Sequence, residues 1–318
     1  MMTQDEFIAA RQGEWDELEG LLTRNKALRR LPPRSISRAI ALYRSVCADL
    51  MRAQAGGYGP ELLARLDGLA ARGHNALYSA PPYRFGALWD LVRADFPRTL
   101  RRHGRFFALA VVLFLAPGVL GFVGAYHSRA FAIGVVSADV AEQMEKGYAE
   151  GFSKGRSKGE DMTMAGFYVW NNVGIAFRCF ATGILFGLGS AFFLVYNGLT
   201  IGAVAGLVTA AGHGKNLLVF TSGHRAFELT AIVISGAAGM VMGYALVDAR
   251  GLTRFGSLRA KAKDVAVLVM GAALMLLVAA MLEGFWSPSS VPERIKLAAA
   301  GTFYVLVALY LALAGRRP

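Results

Sequence analysis

Five stretches of this 318-residue chain are long and apolar enough to cross a bilayer, and they fix the solvent in which most of it folds. Phe106–Tyr126 and Leu297–Ala314 carry no charged side chain. Gly174–Tyr196, Ala226–Val247 and Val265–Phe285 carry one each, Arg178, Glu228 and Glu283. A spanning helix needs about 20 apolar residues, and a chain in lipid must satisfy its backbone groups internally, which makes such segments helices. A sixth apolar segment, Leu199–Ala211, has 13 residues. At 1.5 Å per residue it reaches only ~20 Å, so it reads as a short, tilted crossing or a half-helix. Only 18% of the residues are charged, against about 25% in soluble domains. That composition argues against a disordered chain and against an ordinary soluble enzyme.

The chain has a different character before residue 105. Phe7, Ile8, Trp15, Leu18, Leu21 and Leu22 recur at helical spacing and predict a helix from about Thr3 to Thr23. Pro32 and Pro33 open a second helix with Ile36, Ile40, Tyr43, Val46 and Leu50 on one face. Gly56, Gly57 and Gly59 end it, and Pro60 starts a third with Leu62, Leu63, Leu66 and Leu69. A fourth, near 84–103, sets Leu88, Leu91, Val92 and Phe96 against several arginines and is bent at Pro97. The expectation is a small helical domain at 1–104 whose last helix lies on the membrane surface.

Charge sets the topology. Residues 1–105 hold 17 basic and 11 acidic side chains, a balance of +6. The loop 249–264 carries +4 and the tail +2, so these three regions account for the whole net charge of +12. The positive-inside rule places all three in the cytoplasm. An even number of crossings must then separate the first region from the second, and Leu199–Ala211 has to count as one. The reading is an all-α, polytopic membrane helix bundle at 105–318. It has six crossings with the third one short, both termini cytoplasmic and an exoplasmic loop at 127–165. The basic surplus is thus a topology signal that also suits the anionic lipids of the inner leaflet, and no nucleic-acid partner is expected. The acidic start, MMTQDEFIAARQGEWDE, is not read as a secretory signal peptide. Cys47 and Cys179 are read as small apolar fillers.

Several stretches together resemble a known family. They are FIAARQGEWDELEGLL, EQMEKGY, FYVWNNVGIAFRCFATGILFG, GHRAFELTAIVISGAAG and LEGFWSP. In this order, around six crossings, they resemble the stage II sporulation protein M family (DUF95) over nearly the whole chain. The segment from His224 to Gly239, followed by Glu283–Pro288, is the most specific part; Arg225 stands where the family more often has a small residue. The resemblance implies an integral protein of the bacterial cytoplasmic membrane, and the Arg- and Ala-rich composition fits a non-sporulating host. In spore formers the family member anchors a peptidoglycan-degrading complex. Elsewhere its genes often lie beside those of MoxR-type ATPases. The implied role is a scaffold or anchor for envelope proteins, peptidoglycan-remodelling ones among them, with a MoxR-type ATPase as cytoplasmic partner.

Glycine spacing offers the commonest motif. Gly183 and Gly187, Gly198, Gly202 and Gly206, and Gly239 and Gly243 recur four apart in the crossings. Such spacing lets helices approach closely; it suits a homodimer face or, more simply, packing within one chain. Gly147, Gly151, Gly155 and Gly159 repeat the spacing outside the crossings. They read as a docking ridge for an exoplasmic partner or as a flexible loop, since each glycine costs a helix about 1 kcal/mol.

No Walker A loop or HExxH is present, and no enzyme and no cofactor are expected. His224 and Glu228, four apart, are half of a metal-site pattern. Only His213, Glu283 and the asparagines could complete it, and the sequence alone supports no metal assignment. The topology does place Asn171, Asn172, Arg178, His224, Glu228, Glu283 and Trp286 in one outer layer. Ionisable groups at such depth face a partner or a wet cavity. Arg178 is expected to reach Glu228 or Glu283. Two readings follow: an internal ion-pair and hydrogen-bond network, or the site of a channel or transporter.

Overall fold

A computed structural model describes residues 2–24, 33–78, 86–149, 158–249, 251–287 and 289–316. All regular structure among the described residues is helical. The chain divides into two compact units, 1–84 and 85–318. The boundary therefore lies about 20 residues earlier than the 1–104 expected, and the arginine-rich segment packs with the membrane unit.

The first unit consists of α1 (Gln4–Arg24), α2 (Pro33–Ala55) and α3 (Pro60–Tyr78). Its core joins Phe7, Trp15 and Leu18 to Leu42, Val46, Leu62, Leu66 and Leu69. The buried stripe of α2 is Ala39, Leu42, Val46, Asp49 and Ala53. It is rotated from the larger side chains at Ile36, Ile40 and Tyr43, which are half-buried. Asp49 is fully buried and accepts from Trp15 Nε1 and Arg11 Nε, both at 2.9 Å.

The membrane unit opens with α4 (Gly86–Asp90), a π-helical turn at Leu91–Asp95 and α5 (Phe96–Arg102). The turn precedes Pro97, and the Phe96 N–H bonds Leu91 O. Proline has no N–H to continue the ladder and its ring crowds the preceding turn, which the wider turn accommodates. This segment is tied to the middle of α13 (Arg254–Met281) and to the end of α14 (Glu293–Leu313). Arg101 donates to Leu311 O at 2.6 Å and Ala314 O at 2.7 Å, Arg102 pairs with Asp264 at 2.6 Å, and Phe96 fills the space beside Gly271.

Five helices meet the length and hydropathy needed to span a bilayer: α6 (Gly104–His127), α10 (Leu188–Ala210), α12 (Arg225–Val247), α13 with its π-helical extension (Arg254–Trp286), and α14. The chain is therefore a membrane protein. Two expected segments are corrected. Gly174–Tyr196 is not one helix, and Leu199–Ala211 is not a short one. Helix α9 (Lys158–Ala181) ends in a break at 182–187, and α10 then runs unbroken for 23 residues. Phe186 (φ 56°) and Gly187 (φ 85°) turn the chain there. The hydropathy profile hides this break because its residues are themselves apolar.

Glycines set the packing. Added Cβ atoms at Gly198, Gly202 and Gly206 would collide with the carbonyls of Phe114, Gly118 and Phe122. Three contacts with one constant offset mean that α6 and α10 run parallel, backbone to backbone, as small residues allow in lipid. Gly183 and Gly187 meet Gly239 and Gly243 of α12 in the same way. These glycines are thus used inside one chain. Helix α12 is the centre of the unit, with Ala231, Ile232, Ile234 and Ala238 fully buried.

The segment 127–165, expected as a loop, contains α7 (Arg129–Val136) and α8 (Ala138–Ala149), and α9 begins within it. Ala132, Val136 and Ala141 close over Ala125, Ala203 and Leu207. Gly147 lies on α8 and Gly159 on α9, whereas Gly151 and Gly155 lie outside the described residues.

Candidate functional site

Helices α9 and α10 and the start of α12 surround a cavity of about 350 Å³. Thr200, Ile201 and Ala205 of α10 form one wall, and Met144 and Tyr148 of α8 approach from outside the bundle. Asn216 of α11 (Gly214–Thr221) donates to Tyr148 O at 2.8 Å, which ties that cover together. The polar wall comprises Asn171 and Asn172 of α9, His224, Arg225 and Glu228 at the start of α12, and Glu283.

Local structure brings His224, Glu228 and Glu283 together. His224 occupies the N-cap of α12, and Glu228 follows one turn later on the same face. Glu283 lies in a π-helical turn, Leu282–Trp286, at the end of α13. Such single turns occur often at functional sites. His224 is 3% exposed and Glu283 7%. His224 Nε2 lies 3.8 Å from Glu228 Oε2 and 3.9 Å from Glu283 Oε1. Both distances exceed a hydrogen bond.

The other imidazole nitrogen is held. Nδ1 is 3.1 Å from Ser287 Oγ, while Ser287 Oγ donates to Leu282 O at 3.3 Å. Ser287 thus holds one ring nitrogen, and the other, Nε2, faces the carboxylates. Lys296, 3% exposed, fixes the strand of chain beyond, donating to Ser287 O and Ser289 O at 2.7 Å each. Asn172 Nδ2 donates to Glu283 Oε2 at 3.5 Å, and Asn171 Nδ2 to Asn172 Oδ1 at 3.0 Å.

Two expected members sit elsewhere. Arg178 is exposed on α9 and donates to Gly174 O at 3.1 Å. It reaches neither glutamate, because six residues of helix turn it about 120° away from buried Asn172. It shares the face of Asn171, which is exposed. Trp286 packs against Gly223, where a Cβ would come within 2.6 Å of its ring, and its buried Nε1 has no partner among the described residues. His213 caps α11 and is not among the residues lining the cavity. Arg225, noted in the sequence as unusual but not counted as a site residue, lines the cavity instead of Arg178. Ser287 and Lys296 were missed as well. Ser287 adjoins the Glu-Gly-Phe-Trp motif and could have been suspected; Lys296, in an amphipathic-looking ERIK start, carried no signal.

Comparison with known families places this arrangement. The stage II sporulation protein M family matches residues 109–288, more than half of the chain and all of the cavity's helices. A domain of unknown function (DUF8413) matches residues 5–79, within the first unit. No curated protein and no solved structure matched.

Proposed function

The chain belongs to the stage II sporulation protein M family, and from that premise we propose that it is a non-enzymatic scaffold of the bacterial cytoplasmic membrane that anchors envelope proteins. The observation that carries the reading is the division into two units, each with its own core. A three-helix unit with a charged surface suits a soluble partner, such as a MoxR-type ATPase. The helical cover α7–α8 suits partners on the other side of the membrane, peptidoglycan-remodelling proteins among them.

The proposed topology has six crossings. Because α6 and α10 are parallel, the chain must return across the bilayer between them, and α9, with 24 residues, is long enough at ~36 Å. Its asparagines and Arg178 lower its hydropathy without shortening it. The basic regions then lie in the cytoplasm with both termini. In a chain whose own cysteines are replaced, a cysteine at Gln143 should react with an impermeant maleimide on intact cells and one at Arg259 should not. The reverse pattern would invert the topology.

The scaffold reading is tested by affinity purification. The full chain should retain specific envelope proteins, and deletion of 1–84 should release the cytoplasmic ones. A second reading, a channel or transporter, is favoured by the cavity with buried ionisable groups. Reproducible solute flux in proteoliposomes, lost in a folded Glu228→Gln variant, would replace the scaffold reading.

A further inference from the structure

We propose that His224, Glu228 and Glu283 form a binding site for a first-row divalent cation of the zinc type. The inference goes beyond the scaffold reading and does not depend on it. One ligand atom from each residue lies within 4.8 Å of the others, with His224 and Glu283 buried and Glu228 partly so. Adjacent ligands on a tetrahedral zinc with bonds of ~2.1 Å stand about 3.4 Å apart. The separations of 3.8 and 3.9 Å from Nε2 are therefore closed by small side-chain rotations.

Electrostatics argues for a cation between them. Nδ1 is engaged by Ser287 and Nε2 faces two carboxylates; the neutral tautomer with its proton on Nδ1 offers a lone pair there. Nε2 and the two carboxyl groups face one point, with the nitrogen 3.8 and 3.9 Å from the oxygens and so beyond hydrogen-bond distance. Glu228 has no hydrogen bond and no lysine or arginine ion pair among the described residues, although Arg225 lines the same cavity. A divalent ion at that point compensates the Glu228 carboxylate and takes the imidazole as a second ligand. The Ser287 contact is also the outer-shell bond that orients a ligating histidine. One imidazole and two carboxylates suit zinc and its neighbours better than calcium or magnesium, which prefer all-oxygen sets. The adjoining cavity leaves at least one coordination position for water or a carboxylate or phosphate group from a partner.

The experiment uses the full chain, purified in detergent, stripped with chelator and dialysed. Titration with ZnCl2 should load one equivalent by calorimetry and by elemental analysis. Glu228→Gln and Glu283→Gln should abolish stoichiometric loading, and Ser287→Ala should weaken it roughly 10–100-fold. Gly301→Ala, on α14 with open space at its Cβ and not among the residues lining the cavity, should leave it unchanged. No zinc uptake by the unaltered protein, or uptake surviving both glutamine variants, overturns the site. If those variants fail to fold, X-ray absorption of the Co2+-loaded unaltered protein decides. One imidazole with carboxylate oxygens supports the site, and a first shell without imidazole nitrogen overturns it.

Discussion

Gly202 of α10 lies directly against the Gly118 carbonyl of α6, with no room for a methyl group between the two backbones. The contact repeats one turn in each direction, at Gly198 with Phe114 and at Gly206 with Phe122. A pair of parallel helices held this closely cannot absorb a side chain by rotating one residue, because the neighbouring turns are fixed in the same way.

The first prediction follows from that fixity. Gly202→Val should destabilise the membrane unit by about 3 kcal/mol or more, at the upper end of overpacking costs, and lower its thermal midpoint in detergent. Gly301→Val is the control. It sits on α14 with open space where a Cβ would go, and its effect should stay within about 0.5 kcal/mol.

The first unit should depend on a buried carboxylate. Asp49→Ala leaves Trp15 Nε1 without its acceptor and removes the Arg11 partner. The cost should be about 2–4 kcal/mol, read by urea unfolding of the full chain followed at Trp15. Asp67→Ala, on an exposed position of α3, should be nearly neutral.

Acid should weaken the same unit. The Ser45 hydroxyl, with Arg11, holds the Glu14 carboxyl below the ordinary value of 4.5, and Arg38 does the same for Glu17. Both folded-state values are depressed, so their stabilisation is complete above pH 4.5 and is lost as pH falls through the lower folded values. Urea midpoints should hold between pH 7 and 5 and then drop below pH 4.5. Glu14→Gln should flatten that drop; an unchanged acid limb would show that Glu14 contributes nothing to it.

Arg101 closes the end of α14 through the carbonyls of Leu311 and Ala314. Arg101→Gln should cost about 1–3 kcal/mol and speed amide exchange in the last turn of α14. Arg105→Gln, on an exposed side chain, should do neither. Equal exchange in the two variants would show that the cap has no role.

The sequence displayed the long helices and the pairing of His224 with Glu228, because apolar length and spacing by four are direct images of helix geometry; Glu283 was set at their level by the charge-derived topology, which placed Arg178 there too. It hid what depends on small residues and on helix rotation. The turn at 182–187 is written in apolar letters, so only Gly183 and Gly187 marked it. In α2 the buried face is carried by Ala39, Asp49 and Ala53, which a search for large apolar residues passes over. Asn171 and Asn172 point about 100° apart on α9. The sequence does not say which of them faces inward, and Arg178 follows the one that does not.

The parallel pairing of α6 with α10 has a consequence for how the chain is made. When α6 leaves the ribosome its partner has not been translated, and α7, α8 and α9 must come first. Throughout that interval the backbone groove at Gly118 and Gly121 lies bare to lipid or to the insertion machinery. It closes only when α10 arrives. The order of synthesis therefore leaves α6 open to a wrong neighbour until α10 is inserted.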